Sequence, residues 1–412
     1  MFPAVTLVLF CALAVVAKPV VVRDSPITLP VVRRLNLTGK STIADLDRAR
    51  VRSMQNGVFS RPARAKSAAS VFNVPVTNEA VSYVATVGVG SPATDYSLIV
   101  DTGSSNTWVG AGKGFVESST TKSTGQEVSV TYGSGFFLGE QFTDTVTIGS
   151  LSIPNQGIGA AIFSEGFDGV DGILGIGPVD LTEDTLFPDE DSTIPTVTDN
   201  AFSQGLISAH EVGISFEPTT SDTSTNGELT FGGTDSSKFT GSITFVPLTT
   251  TSPANEFVGI DQSITLGSAG TSILTSTAGI VDTGTTLLLI ATDALSRYVD
   301  AVGASSEADE ETGLFTISAE NFANLQSLFF NIGGTSFEFT PNAQIWPRAL
   351  NTDIGGNADT IYLVTGDIGS DTGSGLDFIN GMVWLERFFF VFNAGSSEAG
   401  FATTSFTDAT TN

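Results

Sequence analysis

Short apolar runs broken by Gly, Ser, Thr and Pro recur from about residue 70 to the C-terminus, for example at 83–89, 96–100, 128–132, 143–148, 228–231 and 242–247. Runs of that length, rich in β-branched and aromatic residues and bounded by turn formers, predict strands. Helical spacing is rarer. It predicts a helix over 293–302 capped by Thr292 and another over 319–329 capped by Ser318. Ahead of this body the pattern predicts an extended strand over 27–35 and a helix over 45–54. The first apolar run, residues 5–16, is too short for a membrane span, which needs roughly 20 residues. It ends in the light residues Val15, Val16 and Ala17, which predicts a secretion signal over 1–17.

The β-rich body repeats itself once. Ile99-Val100-Asp101-Thr102-Gly103-Ser104-Ser105 recurs as Ile280-Val281-Asp282-Thr283-Gly284-Thr285-Thr286, 181 residues later. A second apolar-Gly element follows in each half, Ile173-Leu174-Gly175 and Phe378-Ile379-Asn380-Gly381. Two large copies, rather than a short-period solenoid, predict two lobes, divided near 217 where a polar stretch begins. The expected organisation is a signal over 1–17, a basic leader over 18–69, a first lobe over 70–217 and a second over 218–412.

Charge is divided along the same lines. The chain of 412 residues has 17 basic and 44 acidic residues and a net charge of −27. Residues 18–66 hold 11 of the basic residues and three acids, so this stretch is +8 and the remainder −35. A basic leader on an acidic body predicts a removable segment that covers it, with release in acid. An overall negative chain argues against nucleic-acid partners. One His and one Cys, Cys11 within the signal, argue against a His/Cys metal site and against a disulfide. No cofactor, no metal and no membrane contact are expected.

Each copy of the repeat sets a carboxylate on a tight turn after an apolar strand, and the Gly allows close approach of backbone. If the halves meet about a pseudo-twofold axis, Asp101 and Asp282 face each other. Two carboxylates that close cannot both ionise readily and share a proton, which leaves one general base and one general acid around a water. A third Asp-Thr-Gly, at 371–373, follows Gly and Ser rather than an apolar strand and predicts a surface turn. Gly88-Val89-Gly90 precedes Pro92 and a strand, so it predicts a hairpin turn and not a nucleotide loop. His210 and the Asp168–Asp171 stretch predict no site of their own.

These motifs identify the chain as resembling the pepsin family of aspartic endopeptidases over about 70–412. The resemblance implies a mainly β, bilobal fold of two homologous β-barrel-like lobes with the active-site cleft between them. It implies Asp101 and Asp282 as catalytic, supported by Thr102, Gly103, Ser104, Thr283, Gly284 and Thr285. Tyr132, Gly133 and Ser134 match the mobile flap, and Trp108 matches the partner of the flap tyrosine. Ile99, Leu174, Ile280 and Leu287 are expected to line the substrate cleft. Some fungal members carry an acidic residue two places after the flap tyrosine, associated with basic substrates. Ser134 stands there in this chain, so large apolar residues are expected beside the scissile bond. Asn380 stands where the family usually has an apolar residue. The implied protein is a secreted, monomeric zymogen acting on proteins and peptides, with its own propeptide as intramolecular inhibitor through an unassigned basic residue.

Overall fold

The computed structural model describes residues 25–35, 41–55, 81–133 and 135–412. The expected signal with Cys11, residues 18–24, 36–40 and 56–69 of the expected leader, and Ser134 lie outside the described residues. The body is built of strands in one 14-stranded sheet, one seven-stranded sheet and a two-stranded pair. The strands expected in the body are present and reach beyond the predicted bounds, except that the one expected over 128–132 ends at Thr131. Thus 83–89 lies within β2 (Val81–Val89) and 96–100 within β3 (Thr94–Asp101). The two form an antiparallel hairpin that turns at Gly90, whose φ of 93° favours glycine.

The leader contributes a strand, β1 (Ile27–Leu35), and a helix, α1 (Ile43–Gln55). Strand β1 is not at an edge. It pairs antiparallel with β2 on one side and with Thr223–Phe231 on the other. Its side chains alternate: Ile27, Leu29 and Val31 enter the core while Thr28 and Pro30 face out. Arg33 occupies the next inward position and is 1% exposed. It survives there because Glu386 meets it at 2.9 Å. Burial pushes the Glu386 carboxyl up, with Arg33 and Arg387 opposing. Removing Arg33 leaves a buried carboxylate without this partner. The variant R33A is expected to cost the full chain about 3 kcal/mol. Because the orphaned acid then favours its protonated form, the loss is larger at pH 7 than at pH 5. Thermal unfolding at the two pH values measures it.

The duplicated elements adopt the same local topology twice. Strand β3 runs parallel to Gly172–Gly175, with Val100 opposite Leu174 and Asp101 opposite Gly175. In the second half Thr271–Val281 runs parallel to Phe378–Asn380, with Val281 opposite Asn380. A short strand crosses antiparallel to each, Thr107–Val109 in the first half and Leu288–Ile290 in the second. Each aspartate is therefore delivered to the end of a buried strand by the same wiring. The polar stretch where the lobes were expected to divide connects Glu211–Phe216 to Thr223–Phe231, which pair with each other.

Two expectations change. The third helix begins at Thr292 itself, with Ala291 at the boundary, so Thr292 is not its cap. As the first helical residue its hydroxyl is not placed to accept from the first-turn N–H groups, and it donates to Asp367 at 2.6 Å. Ser318 does cap a helix, accepting from the Asn321 N–H, but this helix stops at Phe322. Residues Leu328–Ile332 form a strand paired on both sides, and cross-strand pairing overrides the local helical spacing. Asn380 does not disturb its buried site, because its amide and that of Gln262 bond reciprocally at 2.9 and 3.1 Å. The third Asp-Thr-Gly is a turn, as its composition predicts, with Gly373 at φ 107°.

Candidate active site

The two Asp-Thr-Gly loops interlock. The Thr102 N–H donates to Thr283 Oγ1 at 2.9 Å, and the Thr283 N–H donates to Thr102 Oγ1 at 3.0 Å. Each hydroxyl then donates across the interface, Thr102 to the Val281 carbonyl and Thr283 to the Val100 carbonyl. Every buried donor and acceptor in this crossing is satisfied by the other loop, so neither loop can shift alone. The carboxylates are oriented in the same way on both sides. Asp101 accepts from the Gly103 N–H at 2.9 Å and the Ser104 hydroxyl at 2.5 Å. Asp282 accepts from the Gly284 N–H at 3.0 Å and the Thr285 hydroxyl at 2.6 Å.

The glycines are required by the opposite lobe. A Cβ at Gly103 would stand 2.6 Å from Asp282 Oδ1, and one at Gly284 would stand 2.7 Å from Asp101 Oδ1. Both contacts are closer than real Cβ atoms approach.

The dyad is covered by the leader. Arg50 of α1 donates through Nε to Asp282 Oδ2 at 2.6 Å, and through Nη2 to Asp101 Oδ1 at 2.5 Å and Asp282 Oδ1 at 3.0 Å. One guanidinium nitrogen thus binds an oxygen of each carboxylate, which holds those oxygens within about 5.5 Å of each other. Burial lifts the Asp101 carboxyl above its usual range, with the Asp282 charge adding to it and Arg50 opposing. Burial acts on Asp282 in the same direction, but the charge and hydrogen bond of Arg50 outweigh it and hold that carboxyl below the usual range. The pair is split by its surroundings as well as by its mutual repulsion.

The flap residues converge on the same place. Trp108 Nε1 donates to the Tyr132 hydroxyl at 3.0 Å. Phe137 stacks on Trp108, and Phe167 stands edge-on to both Trp108 and Tyr132. The hairpin closes through the Tyr132 N–H and the Gly135 carbonyl. Gly133 packs on the leader helix so closely that a Cβ would collide with the backbone of Ala49 and Arg50. Ile99, Leu174, Ile280 and Leu287 are all buried in the main core, on or beside the strands that carry the aspartates.

The sequence left the leader's basic contact unassigned, and a signal for Arg50 was present. The buried positions of α1 include Ile43, Leu46, Asp47, Arg50, Val51 and Met54. That is a helical stripe in which two charged residues replace apolar ones, and a charge on a buried stripe needs a partner. Other candidate groups have local uses. Asp171 accepts from the Ser97 and Lys113 N–H groups. His210 bonds to Asp199 at 2.7 Å and stacks on Phe202.

Comparison with known proteins agrees with this geometry. The family model described as eukaryotic aspartyl protease matches residues 82–404. Polyporopepsin of Irpex lacteus is 63% identical over 340 residues, covering 82% of this chain and 99% of that protein. Human gastricsin is 30% identical over 322 residues, covering 74% of this chain and 77% of its own length. The crystal structure of an aspartic proteinase from Irpex lacteus is similar with a TM-score of 0.80 and 55% identity, over 94% of this chain and all of that one. With interlocked Asp-Thr-Gly loops at its centre and relatives of this kind along nearly its whole length, the chain belongs to the eukaryotic aspartyl protease family and is an aspartic endopeptidase.

Proposed function

We propose that Asp101 and Asp282 are the catalytic pair, and that the leader is the chain's own inhibitor. The observation that carries this reading is the single Arg50 nitrogen shared by the two carboxylates. A group bonded at once to both is placed where a hydrolytic water would sit, with ordinary hydrogen bonds of about 2.8 Å to each side. The chemistry is that established for aspartic proteases in general. The ionised carboxylate takes a proton from the water as it attacks the scissile carbonyl. The protonated partner gives its proton to the carbonyl oxygen. On collapse of the tetrahedral intermediate the first carboxyl, now protonated, gives its proton to the leaving nitrogen, and a hydroxyl of the intermediate returns a proton to the second carboxylate, which restores the starting pair. Thr102, Gly103, Ser104, Thr283, Gly284 and Thr285 hold the carboxylates in register for these transfers.

Tyr132, supported by Trp108, closes over the substrate, with Gly133 next to it in the flap. Ile99, Leu174, Ile280 and Leu287 form the apolar floor of the cleft. A cleft of this kind is expected to prefer Phe or Leu beside the scissile bond. Otherwise identical peptides with Phe-Phe or Lys-Phe at that bond measure this at pH 3–4. The apolar peptide is expected to have the larger kcat/KM by at least about tenfold. Faster cleavage of the basic peptide would overturn the specificity reading.

The protein is read as a secreted, monomeric zymogen on account of its apolar first segment and basic leader. Among the described residues no helix is long and apolar enough to cross a membrane. In the full chain Arg50 occupies the position of the water and part of the substrate. The depressed Asp282 carboxyl makes this hold complete above the usual carboxylate range and loses it as pH falls through the lowered value. The full chain is therefore expected to be latent at neutral pH and to convert itself in acid. Casein digestion and gel analysis at pH 3 and pH 7 test this directly.

A further inference from the structure

Arg50 is not the only charged residue that α1 sends into the cleft. Asp47 lies one turn earlier on the same face, at the i, i+3 spacing that makes the two neighbours. It is 3% exposed. Its two oxygens accept from consecutive backbone N–H groups, Oδ1 from Thr286 at 3.1 Å and Oδ2 from Leu287 at 2.8 Å. Those residues directly follow Asp282-Thr283-Gly284-Thr285. Both are buried, and among the described residues their N–H groups have no backbone acceptor. Without Asp47 the loop would present two adjacent donors to the cleft, an arrangement that suits a carboxyl group.

We propose that the N–H groups of Thr286 and Leu287 form a carboxyl-binding site on the loop of Asp282, and that Asp47 fills it in the full chain as a second anchor of the leader. This rests on the reading of the leader as inhibitor and adds to it. The two anchors are complementary in kind: Arg50 gives hydrogen bonds to the loop's acceptors, and Asp47 takes them from its donors. The pair reads the polarity of one short loop and fixes the register of α1 against it.

The two anchors respond to pH in opposite directions. The charged groups acting on Asp47 are Asp282 on the opposed loop and Arg50 on its own helix. Burial pushes its carboxyl up to about 7, with Asp282 adding and the two N–H groups and Arg50 opposing. A solvated Asp titrates near 3.9, so docking takes up a proton between these values. The contribution of Asp47 is complete below about pH 4 and is lost as pH rises through about 7. That of Arg50 is lost in acid. Release of the leader in acid is thus driven at Arg50 and resisted at Asp47.

The test compares full-length wild type, D47A, D47N and R50Q. Conversion is followed on gels at pH 4, and amide exchange of residues 43–55 is followed by mass spectrometry from pH 5 to 7.5. D47A is expected to convert about tenfold faster than wild type, the scale of losing hydrogen bonds to a buried carboxyl, and to exchange faster in α1. D47N keeps the shape but sets an amide donor against an N–H donor, so it falls between the two. In wild type the protection of α1, taken relative to the intrinsic exchange rate at each pH, falls toward pH 7.5, and that fall is absent in D47N. If R50Q releases the leader while D47A and D47N behave as wild type, the second anchor does not exist and the inhibitor reading stands. If R50Q also behaves as wild type, both fall.

Discussion

Full-length D282N incubated at pH 3 is expected to remain uncut and to leave casein intact, while wild type processes itself and digests casein. The loss in proteolysis is expected to reach about 10³- to 10⁴-fold, the range of removing a positioned acid–base group. Asn matches Asp in size: its single oxygen can still accept from the Gly284 N–H, which bonds Asp282 at 3.0 Å, and its amide nitrogen can donate to the hydroxyl oxygen of Thr285, which stands 2.6 Å from the other carboxylate oxygen. It cannot ionise, so the pair no longer alternates between base and acid. The fold should survive, because the interlock between the loops runs through Thr102 and Thr283 and not through the carboxylates. An unchanged far-UV spectrum beside lost proteolysis would separate chemistry from unfolding. Activity equal to wild type would end the assignment of Asp282.

Adding one methyl group at Gly103 is expected to be nearly as damaging. The new Cβ of G103A would stand 2.6 Å from Asp282 Oδ1, well inside ordinary contact. The neighbour is not the free end of a flexible chain. Asp282 is held by Thr285, by Gly284 and, in the full chain, by Arg50. Relief must come from moving a carboxylate or opening the interlock. A displacement of about 1 Å at a reacting group costs on the order of 100-fold in rate, so kcat/KM should fall by at least about 100-fold. The effect should appear mainly in kcat, since the substrate's flanking residues still find their places. The mirrored variant G284A meets Asp101 Oδ1 at 2.7 Å and should behave alike. Near-normal kcat in both would mean that the two loops are not as close in solution as this geometry requires.

The chemistry was legible because it is local and duplicated. Asp101 and Asp282 each follow a buried strand and precede Thr-Gly, and the repeat itself implied a twofold arrangement. The crossing of Thr102 and Thr283 is that symmetry made physical. The third Asp-Thr-Gly was separable for the same reason, since no apolar strand leads into residue 371. Strand β1 and most of α1 were also legible, because alternation and helical spacing were undisturbed.

Failures came where distant partners decide. Residues 328 and 329 closed the helix expected over 319–329, yet they open the strand Leu328–Ile332, because Ser263–Leu266 and Thr335–Phe339 supply backbone partners on both sides. The glycine pair at 333–334, with φ of 58° and 83°, was the neglected turn signal. Thr292 lost its expected capping role to a carboxylate 75 residues away. Arg33 and Arg50 were counted only as part of a basic stretch. Their function depends on which face of β1 and α1 they occupy, and on Glu386 and the dyad lying opposite. Charge complementarity between leader and body thus includes three ion pairs to deeply buried carboxylates, which a charge sum cannot locate.

The central claim is that two carboxylates share one proton around one water. The pH dependence of kcat/KM tests it most directly, using acid-converted enzyme and a peptide without titratable groups. A bell with two separate ionisations is expected, because ionisation of one carboxyl raises the pKa of the other. Activity should be lost in strong acid, when both are protonated, and again toward neutrality, when both are charged. A single ionisation, with full activity persisting through pH 7, would contradict it.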